Sequence, residues 1–446
     1  MNISKAYFEN LRNFAFNGLT EHLTIQFQGE TSQFVRINSA RVRQAGIVED
    51  ASIEFSLVAG STPGQLRKST LTTTLTGQIQ EDQSRIQAAL GILRSEITQL
   101  PIDPFAEIPS DTGKSALIRG GKLLPHGQVV EVLLSGLRDL DVAGIYASGN
   151  MIRAMASTAG TEHYFETETF SFDYSVFTPE QRAIKGTFAG TEWNSEEFQK
   201  EIDRVRNQLP ALSRQSLKPK PGTYRTFLAP AATEALVAML SWGAIGEASI
   251  RQEDSPLVKV RNGEKAFSPH FSLSEDFRSG ATPRFGGEGR LPPEYLPLIE
   301  KGKLINALVN TRTEKEYGVK SNGANSSESM RSISVGPGQL KNEEVLGRLG
   351  TGLYLSNLHY LNWSDQRGGM ITGMTRYACF WVENGKIIAP IENLRFDDSV
   401  FSLLGTAVED FTTTPVLLPE TGTYESRHPG GAVVPGLLLS GMRFTL

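Results

Sequence analysis

Residues 377–390, YACFWVENGKIIAP, predict a β-hairpin. This hairpin indicates that the C-terminal half of the chain is rich in β-strands. Tyr377–Val382 is rich in aromatic and β-branched residues, which favour strands. Asn384-Gly385 is typical of a two-residue hairpin turn, because both positions accept positive φ. Lys386–Ile391 then forms the returning strand. Gly352–Trp363 has a similar composition, so we expect a largely β C-terminal half.

The N-terminal part predicts strands between helices. An opening helix is indicated by the apolar residues Phe8, Leu11, Phe14 and Phe16, and a second by the three- and four-residue spacing within Gly77–Leu100. His22–Gln28 and Gln33–Asn38 have strand character, and Gly29-Glu30 between them is interpreted as a hairpin turn. Three prolines, at 101, 104 and 109, then interrupt regular structure, which places a boundary near residue 118.

The middle of the chain predicts the same kinds of element again. Gln128–Arg138 has helical spacing, and Ala143–Ser148 and residues 170–174 have strand character. Asn194 precedes Glu197 by three residues, a capping-box spacing that predicts the start of a helix, and Pro210 sits just past its last apolar residue. The proline-rich Lys218–Gly222 is typical of a linker.

The predicted fold class is therefore α+β, with two small N-terminal α/β segments followed by a largely β C-terminal domain. The predicted domains are residues 1–118, 119–222 and 223–446.

Composition narrows the function classes. The chain has 446 residues, 44 basic and 49 acidic, and a net charge of -5 without long blocks of one sign, which argues against nucleic-acid or acidic-membrane binding. A single cysteine, Cys379, excludes an internal disulfide framework. Met1–Asn17 lacks an uninterrupted apolar core and no later stretch is long enough to span a membrane, so a cytoplasmic protein is expected.

Common catalytic and nucleotide-binding motifs are incomplete. Thr112–Ser115 resembles the end of a phosphate-binding loop, but Ile108 occupies the position of its first glycine. Gly286–Gly289 does not follow a predicted strand, which argues against a dinucleotide site. No histidine precedes a glutamate or lies at helical metal-ligand spacing from another histidine. Cys379 lies among aromatic residues on a predicted strand and is interpreted as a buried apolar residue.

Several segments, in this order, resemble the TldD/PmbA (TldE) family over nearly the whole chain. Phe34–Asn38 resembles its early strand pair, and Pro101–Pro104 resembles the proline-rich segment that closes its first domain. Phe285–Gly289 followed by Leu298–Leu304 resembles its turn-and-hairpin block. Gly369–Pro390, which contains the hairpin quoted above, is the strongest match.

The resemblance implies a degenerate metal site. Catalytic family members carry His-Glu-x-x-x-His on a helix, so that both histidines face one metal. Here Pro230–Ala232 resembles the lead-in, and the ligand positions fall near Val237, Ala238 and Trp242, in a stretch without histidine. The family's additional cysteine ligand is also missing, because Pro415–Gly436 contains no cysteine. We therefore expect no catalytic residue and no metal in this chain.

This pattern resembles the noncatalytic TldE/PmbA branch. The resemblance implies pairing with a TldD-like subunit that carries zinc, and action of the complex on unfolded peptides. Two alternatives remain open. One is a stand-alone hydrolase with a relocated site at His428, Glu425 or Asp397-Asp398, and the other is a homodimeric binding or scaffold protein without peptide chemistry.

Overall fold

The computed structural model describes residues 3–446 and confirms the α+β fold class, with three β-sheets. The helices of this described range are α1 (Lys5–Phe16), α2 (Ile79–Ile97), α3 (Val129–Gly136), α4 (Ser195–Leu212), α5 (Pro230–Ala238), α6 (Glu247–Arg251), α7 (Leu257–Arg261), α8 (Thr311–Tyr317) and α9 (Val345–Leu349). Within residues 3–446, no helix combines the length and the apolar character needed to cross a bilayer.

The first sheet is formed by strands from both N-terminal segments. Its strands are β1 (His22–Asn38), β2 (Arg41–Ala59), β3 (Arg67–Thr74), β4 (Lys114–Arg119), β5 (Asp141–Ser157), β6 (Glu162–Phe177) and β7 (Ala183–Gly190). Their order is β3-β2-β1-β5-β6-β4, and β7 also pairs with β6. The predicted boundary at residue 118 falls within β4, which pairs in parallel with β6. The division into 1–118, 119–222 and 223–446 stays a prediction.

One face of this sheet is covered by four helices. Leu23 on β1 packs in a core with α1 and α2, whereas Val35 on the same strand packs in a second core with α3 and α4. Residues separated by an even number along a strand share a face, so both helix pairs lie on the same side. The opposite face of β1 carries Glu30 and Ser32, which contact Arg427 of the C-terminal half.

The turn predicted at Gly29-Glu30 is wrong. Strand β1 runs without a break through both residues, and the chain reverses at Ser39 and Ala40, both at positive φ. A Cβ on Gly29 would lie 2.6 Å from the side chain of Ile3, so the glycine allows close packing of the N-terminal segment. Gly29 is therefore needed so that Ile3 can pack closely against β1, and it forms no turn.

The C-terminal part contains the other two sheets. Its strands are β8 (Gly222–Leu228), β9 (Leu273–Asp276), β10 (Tyr295–Glu300), β11 (Lys303–Leu304), β12 (Ile333–Val335), β13 (Gly352–Leu355), β14 (Asn357–Asp365), β15 (Met370–Arg376), β16 (Phe380–Glu383), β17 (Lys386–Pro390), β18 (Arg395–Ser399), β19 (Val408–Phe411), β20 (Val416–Pro419), β21 (Gly431–Val434) and β22 (Leu437–Phe444). The nine-stranded sheet has the order β14-β15-β18-β22-β8-β13-β16-β17, with β19 also pairing with β22, and the six-stranded sheet has the order β11-β10-β9-β12-β21-β20. One large apolar core joins the two sheets and α5.

Local sequence signals explain several of these elements. Asn384 and Gly385 both have positive φ and connect β16 to β17, as the hairpin signal predicts. The Asn194 side chain accepts hydrogen bonds from the backbone N–H groups of Glu196 and Glu197, which confirms the predicted helix start. Pro210 lies inside the last turn of α4, so the helix continues slightly further than expected.

The glycine-rich segment 286–289 meets the first sheet at a buried histidine. The His163 imidazole lies 2.8 Å from the Gly289 carbonyl through Nε2 and 2.8 Å from the Ser115 hydroxyl through Nδ1. Its ring stacks on Phe285 at 5.4 Å between centroids. Burial lowers the pKa of His163, so the neutral imidazole fits this contact, with Nε2–H donating to the carbonyl.

Candidate functional site

Helix α5 and the residues that follow it contain the positions where the family resemblance places a degenerate metal motif, namely Val237, Ala238 and Trp242. The strand β8 leads directly into it, and Pro230 occupies the first turn, where its missing N–H is not needed. Val237 is completely buried in the C-terminal core, Ala238 is half-buried, and Trp242 lies beyond the helix and is 56% exposed. The backbone carbonyl of Trp242 accepts a hydrogen bond from Trp363 Nε1 at 2.8 Å. The three side chains therefore do not converge on one point.

These residues do not fit a zinc ion. Zinc needs nitrogen, sulfur or oxygen donors, and the side chains of Val237 and Ala238 carry only carbon. Over residues 3–446, no group of three or more histidine, cysteine, aspartate or glutamate side chains is arranged to hold a metal. Cys379 is buried, and burial raises the pKa of its thiol.

The alternative sites considered for a relocated hydrolase lie apart from one another. Asp397 accepts a hydrogen bond from Arg395 at 2.9 Å, and Asp398 accepts one from the Arg443 backbone at 2.9 Å, so both carboxylates stabilise the nine-stranded sheet. Glu425 is exposed on the loop before β21. His428 lines a cleft beside α5. Only His428 therefore reaches the surroundings of the predicted site.

A cleft of about 500 Å³ opens between α5, the start of β12 and the β20–β21 hairpin. Glu234 projects into it from α5, three residues before Val237. The cleft is lined by both charged and apolar side chains, which can fix a ligand's orientation through a few polar contacts. Its lining residues are Glu234, Met330, Arg331, Ile333, Leu418, Pro419, Glu420, Thr421, His428, Pro429, Gly431 and Ala432.

Glu234 contributes to this cleft a carboxyl group whose pKa is raised. Burial raises the pKa of Glu234, and the negative charge of Glu420 adds to the effect. The Glu420 carboxylate itself accepts a hydrogen bond from the Gly422 backbone at 2.8 Å. In the part of the chain that the structure describes, no hydrogen bond to the Glu234 carboxylate is found. A ligand that donates an N–H group would stabilise this carboxylate.

The loop that carries His428 is anchored by Arg427. This arginine is only 4% exposed and inserts against the face of the first sheet that the helices leave open. Its Nη2 donates to Thr169 Oγ1 at 2.6 Å, and its Nη1 donates to Ser32 Oγ at 3.2 Å. Its backbone N–H donates to the buried Glu30 carboxylate at 3.2 Å. Burial lowers the pKa of Arg427 to about 10, so the guanidinium stays charged at neutral pH.

Arg331 forms another wall of the cleft. Its backbone N–H donates to Glu275 at 2.6 Å, and its Nη2 donates to the Gly323 carbonyl at 2.9 Å. The guanidinium lies over the Phe277 ring, 5.1 Å from the centroid. Burial lowers the pKa of Arg331 and raises the pKa of Glu275. These contacts fix the wall opposite Glu234, so the cleft is shaped by packed residues of the C-terminal sheets.

Sequence reasoning does not find this cleft. Glu234, Arg331 and His428 lie far apart in the chain and belong to no common motif. The available signal is Glu234 itself, because it is the single charged residue within the otherwise apolar stretch Ala231–Leu240. A single carboxylate on a buried helix indicates a functional position more often than a carboxylate on an exposed surface does.

Comparison with known proteins identifies the C-terminal half. Residues 221–446 match the sequence profile of the PmbA/TldA metallopeptidase C-terminal domain. A search of curated proteins finds no significant match.

Solved structures share the whole fold. The structure of TldE from Thermococcus kodakarensis has a TM-score of 0.75 at 14% identity, covering 99% of this chain and 100% of that one. A putative modulator of a DNA gyrase from Thermotoga maritima gives 0.73 at 15% identity, with 98% and 100% coverage. A putative modulator of DNA gyrase from Bacteroides thetaiotaomicron gives 0.77 at 14% identity, with 100% and 99% coverage.

Proposed function

Because this chain belongs to the PmbA/TldD metallopeptidase family, we propose that it is a noncatalytic, TldE/PmbA-like subunit of a TldD/TldE-type metalloprotease complex acting on unfolded peptides. The observation that carries the proposal is the contrast within α5. Val237 and Ala238 offer no metal-binding atom where catalytic members place theirs, whereas Glu234 on the same helix faces an open cleft. A chain that has this cleft and lacks metal donors beside it is suited to binding and not to zinc-dependent hydrolysis.

In this proposal zinc belongs to a TldD-like catalytic subunit, and this chain contributes a binding surface for the peptide. Strand β20 is an edge strand of the six-stranded sheet and lines the cleft through Leu418 and Pro419. Leu417 on the same strand is 54% exposed. An extended peptide can add to such an edge through backbone hydrogen bonds, with its side chains or amino end reaching the cleft. Glu234 would then accept an N–H group of the peptide.

The test uses the full chain and a zinc-bearing TldD-type subunit from the same organism. We expect the two to co-purify, zinc to be measured by mass spectrometry only in the partner, and degradation of an unfolded peptide to require both. A lone chain that binds one zinc and cleaves the peptide in a chelator-sensitive manner would refute the proposal. It would favour the alternative hydrolase, with His428 as the first residue to examine.

The role of Glu234 is tested in the assembled complex. Glu234→Gln keeps an acceptor oxygen and loses the charge, so a hydrogen bond worth roughly 1.5–3 kcal/mol becomes one worth about 0.5–1.5 kcal/mol, and the peptide should bind about 5- to 10-fold more weakly. The control is Glu343→Gln, which changes an exposed glutamate outside the cleft. Equal peptide affinity in the two variants would remove the cleft from the proposal while leaving subunit pairing unaffected.

We also propose a cytoplasmic location and no direct contact with nucleic acid. The proposal is supported by the single cysteine and by the absence of long basic blocks in the sequence. Binding to DNA with a strong salt dependence would contradict it.

A further inference from the structure

A second groove lies at the edge of the six-stranded sheet formed by β11, opposite the edge formed by β20. It has two adjoining sections of about 380 and 500 Å³, which share Arg261 and residues 305–307. Helix α7 forms one wall through Val260 and Arg261, and the β11 edge forms the other through Leu304 and Ile305. This β11 groove shares no lining residue with the cleft at Glu234.

The lining of the β11 groove is basic. It contains five basic side chains and one acidic side chain, although the whole chain has a net charge of -5. Within residues 3–446, none of the three lysines forms an ion pair. A groove with charge of one sign attracts ligands of the opposite sign. The charged lining residues are Arg251, Arg261, Lys265, Lys303, Lys320 and Glu247.

A buried carboxylate holds the two arginines in place. Glu247 is only 3% exposed, and its Oε1 accepts hydrogen bonds from Arg251 Nε at 2.7 Å and from Arg261 Nη1 at 3.0 Å. Arg261 Nη2 donates to the other carboxylate oxygen. Burial opposes the ionisation of Glu247, but the hydrogen bonds from both arginines lower its pKa, so the carboxylate is charged at neutral pH. One negative charge therefore fixes two guanidinium groups and leaves a net positive charge in the groove.

The two fixed guanidinium groups keep donors for a ligand. In the part of the chain that the structure describes, Arg251 Nη1 and Nη2 and Arg261 Nε donate no hydrogen bond. Both side chains reach the solvent, with exposed fractions of 46% and 36%. A guanidinium binds a carboxylate through its fork of N–H donors, and a group already held in place loses less entropy on binding. The pair therefore suits a carboxylate ligand.

The rest of the β11 groove suits an extended peptide. Ile305, which lines both sections, is an apolar side chain with 47% of its surface exposed. Its N–H donates to the Leu298 carbonyl at 2.8 Å on the β10 side, so the N–H and C=O of the preceding Leu304 point away from β10. Among the described residues that line the groove, none is aromatic, whereas single-stranded nucleic acids bind largely by stacking on aromatic rings.

We infer that the β11 groove binds an extended acidic peptide segment of a partner protein, with one carboxylate held by Arg251 and Arg261 and a neighbouring apolar side chain on Ile305. Further carboxylates of the peptide then meet Lys320 in one section and Lys303 in the other. The backbone groups of Leu304 are available to pair with the peptide backbone. Because the groove and the cleft lie at opposite edges of one sheet, the chain can hold both ligands at once.

The inference is tested with the full chain and a short fluorescein-labelled peptide in which glutamate alternates with leucine and serine. A second peptide carries glutamine in place of each glutamate. Fluorescence anisotropy should show that the acidic peptide binds at least about tenfold more tightly and that added salt weakens its binding. Equal affinity for the two peptides overturns the inference. Tighter binding of a single-stranded oligonucleotide with the same net charge as the acidic peptide also overturns it.

Substitutions in the chain locate the bound peptide. Arg251→Gln removes two free donors and keeps the pair of Glu247 with Arg261, so binding should weaken about tenfold. Lys320→Gln and Lys303→Gln change exposed residues in different sections, and each should weaken binding about two- to fivefold. The matched control is Lys386→Gln, which makes the same charge change at an exposed position of β17, outside the groove.

Two results of the variant series would overturn the inference. One is unchanged affinity in all three groove variants, and the other is a loss in Lys386→Gln as large as that in Lys320→Gln, which would show attraction to the surface in general. The measurement uses the chain without a catalytic subunit. Its failure would therefore leave the proposed pairing with a zinc-bearing subunit standing.

Discussion

Replacing Arg427 with methionine removes the cation that holds residues 420–430 against the first sheet. The variant loses the hydrogen bonds to Ser32 and Thr169 and leaves the Glu30 carboxylate, itself 4% exposed, near one positive charge, that of Arg153, in place of two. Methionine keeps much of the apolar stem, so the change reports mainly on charge and hydrogen bonding. A hydrogen bond from a charged group contributes about 1.5–3 kcal/mol, and the variant loses those to Ser32 and Thr169. We expect the attachment of this loop to weaken by at least about 3 kcal/mol.

The measurement is amide hydrogen exchange, because it reports the local stability of this loop directly. The reporters are the Arg427 N–H, which donates to Glu30, and the Glu420 N–H, which donates to the Gly430 carbonyl at 3.0 Å. A loss of 3 kcal/mol corresponds to roughly a hundredfold faster exchange.

Two comparison variants make the Arg427 experiment decisive. Adding Glu30→Gln removes a carboxylate charge that has lost one of its two nearby cations, and it should restore part of the protection, by about 1 kcal/mol. Arg138→Met changes an exposed arginine and should leave both reporters as they are. Unchanged exchange in Arg427→Met, or a double variant no better than the single one, would refute the reasoning.

Three further outcomes follow from buried and glycine positions. Burial lowers the pKa of His163 in the folded state, so the neutral imidazole contributes its full stability above the unfolded pKa of about 6.5. That contribution is lost as the pH falls below this value. His163→Gln should therefore make the melting temperature less dependent on pH between pH 7.5 and 5.5. Gly91→Ala, in open space on α2, should raise stability in urea by about 0.5–1 kcal/mol, and a decrease would contradict the helix-propensity argument. Gly149→Ala should lower stability by more than about 2 kcal/mol, because φ is +142° and the added Cβ would lie 2.0 Å from the Thr31 carbonyl; a thermal melt like that of the native chain would contradict this.

Local signals predict much of the fold. The Asn384-Gly385 turn and the Asn194 cap depend on the conformations and hydrogen bonds of a few adjacent residues, so the sequence alone indicates them correctly. The family assignment predicted from ordered turn segments is also confirmed, by the match over residues 221–446.

Features that depend on distant contacts are not predictable in this way. Gly29 has the local appearance of a turn residue, yet its role is set by Ile3, which packs against β1 from another segment. The cleft is formed by Glu234, Arg331 and His428, whose proximity results from sheet topology and not from any spacing in sequence. Residue identity shows that metal donors are missing near Val237, whereas only the fold shows what lies beside them.

The position of β22 has a consequence for how the protein matures. This strand lies between β18 and β8 inside the nine-stranded sheet. Strand β8 therefore pairs with a strand that follows it by about two hundred residues in the chain. Pairing over such a separation is slow, and the apolar end of β8, Phe227 and Leu228, is exposed until it occurs. During synthesis the N-terminal sheet can form early, whereas the C-terminal sheets depend on late-arriving residues and on protection from aggregation in the interval.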